Sequence, residues 1–143
     1  MKYLPIILLM TFSLGFTGCF DGGSDTTTTT TPADGDGAVI LAASTMTVGA
    51  DSAETIATFA VAQPGEIEVT VEWSTGPSGL LMVLQQTGGP SENDSGGSPL
   101  RATLTVTQDM LDTNGTQFSV DIANDHLTED ADITYTVAFT PSA

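Results

Sequence analysis

The chain has 143 residues and is strongly acidic, with 18 Asp and Glu residues against two Lys and Arg, for a formal net charge of −16 at pH 7. Binding to nucleic acid is therefore not expected, because a surface of this charge repels phosphate groups. The chain contains one cysteine, which excludes an intramolecular disulfide. Its length allows one domain of ordinary size together with a short extension.

The first 18 residues have the pattern of a secretory signal peptide. Lys2 supplies a positive charge, and residues 4–16 are almost continuously apolar. This run is shorter than the about 20 residues that a membrane-spanning helix needs, but it matches the hydrophobic region of a signal peptide. Because the small residues Thr17 and Gly18 then precede Cys19, we predict a signal peptide over residues 1–18.

The segment at residues 16–19, Phe-Thr-Gly-Cys, resembles the lipobox of bacterial lipoproteins. The resemblance implies that cleavage leaves Cys19 as the first residue, with diacylglycerol on its sulfur. Buried acyl chains contribute about 0.8 kcal/mol per CH₂, so two or three chains on one residue would hold the protein durably in a membrane. Phe20 rather than Asp follows the cysteine, which by the same resemblance favours the outer membrane in a Gram-negative cell. The alternative is an ordinary signal peptide with an incidental cysteine.

Residues 19–37 are rich in Thr, Gly and Asp and include six consecutive threonines at 26–31. This composition has no apolar periodicity to bury, so we predict a disordered tether between the lipidated cysteine and a folded domain. The Asp-Gly-Asp-Gly at residues 34–37 resembles a fragment of a calcium loop. It lacks the further acidic ligands of such a loop, and a linker is the preferred interpretation. The folded domain is expected over residues 38–143.

Alternation of apolar and polar residues predicts β-strands along most of the folded part. The clearest case is residues 66–73, where Ile67, Val69 and Val71 alternate with Glu and Thr, as in a strand with one face in water. Residues 101–107 repeat the pattern. Further strand signals lie at residues 40–48, 55–61, 80–84, 116–122 and 132–140.

Residues 80–84 are apolar at every position, which favours a central strand covered on both faces. Turn residues separate the strands, as at residues 76–79, and Asn114-Gly115 is a hairpin-type signal. Residues 107–111 allow one helical turn. About seven short strands predict an all-β fold, a single antiparallel β-sandwich of jelly-roll or immunoglobulin-like type, with an open barrel as the alternative.

The Pro-Gly-Glu at residues 64–66, the strand that follows it, residues 80–84 and the closing strand at 133–137 together resemble the pre-peptidase C-terminal domains. Those are jelly-roll-like accessory modules of secreted bacterial proteins, with no catalysis of their own. The resemblance therefore implies a non-catalytic β-sandwich. That family usually carries acidic residues in the strand corresponding to 80–84, whereas this chain has none there, so no metal site is carried over.

The Asp-Ser-Gly-Gly at residues 94–97 resembles the segment around the nucleophile of trypsin-like serine proteases. In that family the histidine base precedes the serine, whereas His126, the only histidine of the chain, follows it. Residues 91–98 are therefore interpreted as a flexible polar loop, and His126 as part of a surface turn. Since no other nucleophile motif is present in the sequence, an enzyme is not expected.

Four carboxylates near the end of the chain offer the hard oxygen ligands that calcium prefers. They are weak candidates for a calcium site if the loop folds back on itself, and a solvated acidic loop is the alternative. No other cofactor is expected. The four candidates are Asp125, Glu129, Asp130 and Asp132.

Trp73 is in phase with Ile67, Val69 and Val71, which favours the core for its side chain. An exposed Trp73 would instead be a ligand platform that stacks on sugars. Together the patterns predict a lipid-anchored cell-envelope protein with a non-catalytic binding, adhesion or assembly module on a tether. The expected partners are the membrane, through acylated Cys19, and an envelope protein or glycan. The alternative is a carbohydrate- or calcium-binding accessory module of a secreted or outer-membrane complex.

Overall fold

The computed structural model describes residues 37–143, so the predicted signal peptide, Cys19 and nearly all of the predicted tether lie outside the described residues. No helix in this described part is long and apolar enough to cross a membrane. Eight strands and one helix follow each other along the chain. They are β1 (Val39–Val48), β2 (Ser52–Ala60), β3 (Gly65–Trp73), β4 (Leu80–Gln86), β5 (Ser91–Gly96), β6 (Leu100–Val106), α1 (Gln108–Asn114), β7 (Gln117–Asn124) and β8 (Ala131–Pro141).

The strands pair as one long hairpin would pair. β1 is antiparallel to β8, β2 to β7, β3 to β6 and β4 to β5. Folding this hairpin over gives sheet 1, in the order β1-β8-β3-β6, and sheet 2, in the order β2-β7-β4-β5. This is the strand order of a jelly roll. The predicted all-β, antiparallel sandwich is confirmed, with eight strands rather than about seven.

The alternation in the strands decides which side chains meet between the two sheets. In β3, Ile67, Val69 and Val71 are completely buried, whereas Glu66 and Glu68 face water. Full burial of such an apolar side chain contributes about 1.5–3 kcal/mol. Strands β6, β7 and β8 follow the same rule, and their inward residues complete one continuous core.

The prediction of a flexible loop at residues 91–98 is wrong, because Ser91–Gly96 form β5 at the edge of sheet 2. An edge strand with mostly exposed, polar side chains has no apolar alternation that could reveal it. Residues 80–84 lie in a central strand, as predicted, since β4 pairs with both β7 and β5. Only one face of β4 is covered, however, because Leu81 on the other face is 41% exposed.

Asn114-Gly115 ends a helix instead of turning a hairpin. Helix α1 begins after Thr107, whose hydroxyl accepts a hydrogen bond from the N–H of Met110 at 3.3 Å. At the other end the N–H of Gly115 donates to the carbonyl of Leu111 at 3.0 Å. Gly115 has a φ of +84°, a conformation that glycine adopts without steric cost. The single predicted helical turn is therefore a helix of about two turns.

A candidate binding site at the loop end of the sandwich

The connections of the jelly roll alternate between its two ends because successive strands run in opposite directions. One end, which we call the loop end, consists of the connections at residues 49–51, 74–79, 97–99 and 125–130 and of the strand residues next to them. The opposite end consists of residues 61–64, 87–90 and 107–116, which include α1. The loop end is irregular throughout, and its shape depends on hydrogen bonds between its connections.

Asn124, the last residue of β7, organises the loop end from inside. Its side chain is only 1% exposed, so its amide requires protein partners. Nδ2 donates to the carbonyl oxygens of Glu129 at 2.8 Å and Gly49 at 3.2 Å, with that of Val48 at 3.4 Å. Oδ1 accepts from the N–H of His126 at 3.2 Å. One buried side chain thus fixes both ends of the last connection against the turn after β1.

Main-chain contacts complete the frame of the loop end. The N–H of Asp51 donates to the carbonyl of His126 at 2.8 Å, and the N–H of Ala50 donates to Oδ1 of Asp130 at 2.8 Å. Gly76 packs against the same connection, and a Cβ on it would lie 2.6 Å from the carbonyl oxygen of Asp130. Gly76 also has a φ of +119°, so both the space and the backbone require glycine here.

His126 lies at the centre of this frame, with 34% of its side chain exposed. Its Nε2 is 3.4 Å from the hydroxyl of Ser78, and its Nδ1 is 3.7 Å from a carboxylate oxygen of Glu129. Both distances exceed the about 2.6–3.2 Å of a catalytic hydrogen bond. The three polar groups thus lie side by side at the loop end and are joined only by long contacts. The sequence pattern indicated only a turn at Ser78, because nothing in its Gly-Pro-Ser-Gly context specifies a distant partner.

The serine of the protease-like segment has a different neighbour. Ser95 lies on β5, and its N–H donates to Oδ1 of Asp94 at 2.9 Å. Within residues 37–143 no hydrogen bond joins Ser95 to His126, although both border the same depression. The serine next to the imidazole is Ser78, on a different connection.

An open depression of about 410 Å³ lies beside His126. Small-molecule sites in proteins commonly occupy about 300–1,000 Å³ and combine apolar walls with a few polar groups. This depression has that mixture, since two hydroxyls, a carboxylate and an imidazole surround aliphatic side chains. The residues that provide these groups are Ser78, Ser95, Asp125, His126, Leu81 and Ala123.

Within residues 37–143, two large apolar side chains are exposed, and both lie at the loop end. Leu81, in the wall of the depression, is 41% exposed, and Leu127, next to His126, is 78% exposed. Exposed apolar groups rimmed by polar groups are typical of surfaces that bind another molecule. At the opposite end, Leu111 of α1 is buried in the core instead.

The four calcium candidates share one region but do not converge on one point. Asp130 and Asp132 accept hydrogen bonds from the turn after β1 and from β1 itself. Glu129 faces the imidazole, and Asp125 borders the depression. Over residues 37–143, no three His, Cys, Asp or Glu side chains are placed to hold a metal ion. The structure therefore does not bring the predicted ligands together.

Trp73 ends β3 at the loop end, half-buried against the hydrophobic core. Its Nε1–H donates to the carbonyl of Pro77 at 2.9 Å, and its main-chain N–H donates to the hydroxyl of Ser98 at 2.9 Å. The polar group of the indole is thus satisfied within the protein. Trp73 lies at the margin of the core and is not part of the wall of the depression.

Comparison of the chain with protein-family models, curated proteins and solved structures found no match. The resemblances to lipoproteins and to pre-peptidase C-terminal domains rest on short sequence segments alone. Fold and surface together define an antiparallel jelly-roll sandwich with a candidate binding site at one end.

Proposed function

We propose that the protein is a lipid-anchored cell-envelope protein whose folded domain binds an envelope component through its loop end, without catalysis. One observation carries the proposal. The loop end combines a depression of about 410 Å³ with hydroxyl, imidazole and carboxylate groups and with exposed Leu81 and Leu127. At the opposite end the longest connection forms α1, which packs on the core through Leu111.

The direction of β1 supports this assignment of the two ends. β1 runs from Val39, at the opposite end, to Val48, at the loop end. A tether that precedes β1 therefore joins the sandwich at the end away from the depression. The 18 residues between Cys19 and the folded part would reach about 25 Å on average and at most about 60 Å. Attachment to a membrane through Cys19 would thus leave the loop end free to bind.

The charge of the domain limits the chemistry of the bound component. Processing at Cys19 would keep all 18 acidic residues and leave Arg101 as the single cationic side chain, for a formal charge of −17. Phosphate-rich or strongly acidic ligands would be repelled. A neutral or basic envelope component fits the site best.

Mass spectrometry of the full chain from membrane fractions tests the anchor. The expected N-terminus is Cys19 with the added mass of its acyl groups, and Cys19→Ser should lose that mass and leave the membrane fraction. An unmodified cysteine in the membrane-bound protein would contradict the anchor, whatever the loop end binds.

Affinity capture of the tagged full chain from solubilised envelopes, followed by mass spectrometry, tests the binding. The matched variants are Asp125→Ala, at the depression, and Asp109→Ala, on α1 at the opposite end. Each removes one exposed carboxylate. The envelope component should be recovered with the parent chain and with Asp109→Ala, and its recovery should fall with Asp125→Ala. Equal recovery with both variants would contradict the site.

The mixed lining of the depression favours a glycan as the second candidate ligand, because a sugar presents hydroxyls for polar partners and an apolar face for aliphatic side chains. A glycan array probed with the full chain tests this candidate. Binding should weaken with Ser78→Ala and Leu81→Ala. Binding that instead depends on Trp73 would place the sugar site elsewhere.

A further inference from the structure

The sandwich has four edge strands, β1 and β6 in sheet 1 and β2 and β5 in sheet 2. The unpaired N–H and C=O groups of an edge can pair with another chain, and proteins usually prevent this with charged side chains or short strands. Glu54 in β2, Glu92 and Asp94 in β5 and Arg101 in β6 are such charges. Among these four edges, β1 alone has no charged residue, although it is 10 residues long.

The side of the sandwich formed by β5 and β6 is protected by Asp94. Its Oδ2 accepts a hydrogen bond from the main-chain N–H of Arg101 at 2.9 Å, and its Oδ1 accepts from that of Ser95 at 2.9 Å. A main-chain group at the edge of β6 is thus already occupied, and a second chain would have to displace a charged side chain. β5 is also short, with 6 residues.

β1 has neither form of protection, and its bulge between Ile40 and Ala42 leaves residues 42–48 as a regular edge. No strand of residues 37–143 lies on its outer side. Ala43, Ser44 and Thr45 in its middle are exposed, and the apolar side chains of Ala42 and Met46 are only half-buried against the core. An uncharged edge with incompletely covered apolar groups is the kind of edge on which another strand pairs.

We propose that β1 pairs antiparallel with β1 of a second copy of this chain. The four-stranded sheet 1 of each copy then becomes half of one eight-stranded sheet. The register follows from a bulge between Ile40 and Ala42, which ends the regular ladder on that side. The regular part of β1 runs from residue 42 to 48, and antiparallel self-pairing over it centres on Thr45. Ser44 of one copy then lies opposite Met46 of the other.

The charges around β1 fit a second copy of the same chain. On the outer face of sheet 1, Thr47 donates its hydroxyl to Asp132 at 2.6 Å. In the proposed register Thr47, with Asp132 of β8 beside it, lies opposite uncharged Ala43 of the other copy. Across the paired strands no acidic side chain then faces another, even though each copy is strongly acidic. The second copy also covers the half-buried Met46.

Cysteine cross-linking of the full chain in cells tests the pairing. Thr45→Cys is expected to give a disulfide-linked dimer on oxidation, because opposed residues in antiparallel strands have Cα atoms about 4.5–5.5 Å apart. That separation is within the range that a disulfide spans. Ala43→Cys is the control on the same strand and face. Position 43 of one chain and position 43 of the other would lie about 13 Å apart along the strand, too far for a disulfide. The parent chain controls for Cys19.

Two substitutions of opposite charge test the same register without a cross-link. In the Thr45→Cys background, Ala43→Lys should raise the dimer yield, because position 43 lies opposite Thr47 of the second copy and a lysine there can reach Asp132 on the adjacent β8. Ala43→Glu should lower the yield several-fold. Asn93→Lys and Asn93→Glu, at an exposed position of β5, should change the yield little. Effects of opposite sign at Ala43 cannot arise from loss of the fold.

Three results would overturn the proposal: no dimer from Thr45→Cys, equal yields from Thr45→Cys and Ala43→Cys, or a cross-link from Thr45→Cys to a different protein. The last result would show that β1 pairs with a partner strand and not with a second copy. The pairing goes beyond the proposed function and does not depend on it, since the loop end and β1 are separate surfaces.

Discussion

The two ends of the sandwich are each organised by one buried amide, yet they differ in what they present to solvent. Gln86, 1% exposed, serves the opposite end: its Nε2 donates to the carbonyls of Gly115 at 2.7 Å and Met110 at 3.0 Å. Asn124, equally buried, serves the loop end. The amide of Gln86 holds a helix that packs on the core, whereas the amide of Asn124 holds irregular connections with exposed polar and apolar groups.

The contrast between the two ends shows how a small β-sandwich can carry a surface without regular secondary structure. Connections without regular structure leave many main-chain groups without partners, and burying such groups costs about 1–3 kcal/mol each. At the loop end one amide satisfies several of these groups at once. The connections therefore keep a defined shape with little apolar burial of their own, and the side chains on them stay available to a ligand.

Removing either amide should give the largest effects on stability. We expect Asn124→Ala and Gln86→Ala each to lower the free energy of unfolding by about 3 kcal/mol, because buried carbonyls lose their donor and a cavity remains. Urea unfolding measures the loss. NMR spectra of the folded proteins should distinguish the two ends, because only Asn124→Ala should shift the His126 imidazole resonances. A shift of similar size in Gln86→Ala would show that the ends are coupled.

Isosteric carboxylates at the same positions should give a smaller, pH-dependent loss. In Asn124→Asp and Gln86→Glu, burial and the facing carbonyl oxygens should raise the pKa of the new carboxyl in the folded state above its ordinary value. Its stabilising contribution is then full below the unfolded-state pKa and is lost as pH rises through the folded-state pKa.

Both carboxyl variants should therefore lose about 2 kcal/mol relative to the parent at pH 7 and recover most of it near pH 4, close to the ordinary pKa of Asp and Glu. Urea unfolding of parent and variants across this pH range measures the difference. A deficit that does not change with pH would show that the carboxyl has turned away from the carbonyls.

Exposed residues of the two ends should contribute least to stability. Leu127→Ser at the loop end and Thr113→Ala on α1 should each change the free energy of unfolding by less than about 0.5 kcal/mol, because both side chains are exposed. Thermal unfolding measured on the two variants checks this. A large loss in Leu127→Ser would mean that Leu127 packs in the fold and is not a free surface group.

The fold was predictable where apolar alternation is strong, as in β3 and β8, because each of these strands faces the core on one side only. β5 was not predictable, because the side chains of Ser91–Gly96 do not enter the core and leave no periodic signal. The Asn114-Gly115 pair was misread because a positive φ at glycine serves both a hairpin turn and a helix end.

The candidate site was less predictable than the fold. The sequence pointed to His126, Asp125 and Glu129 individually, but their relation to Ser78 arises from the pairing of distant strands. Asn124 gave no signal at all, since a polar residue next to a predicted turn is usually at the surface. Its burial depends on two separate connections, residues 49–51 and 125–130, meeting there.

The most direct measurement for the loop end is photo-cross-linking in living cells, with a photoreactive amino acid in place of Leu127 or, as the control at the opposite end, of Thr113. Both side chains are exposed, so neither replacement should disturb the fold. Binding through the loop end predicts a cross-link to an envelope component from position 127 and none from position 113. A cross-link to that component only from position 113, or equally from both, would contradict it.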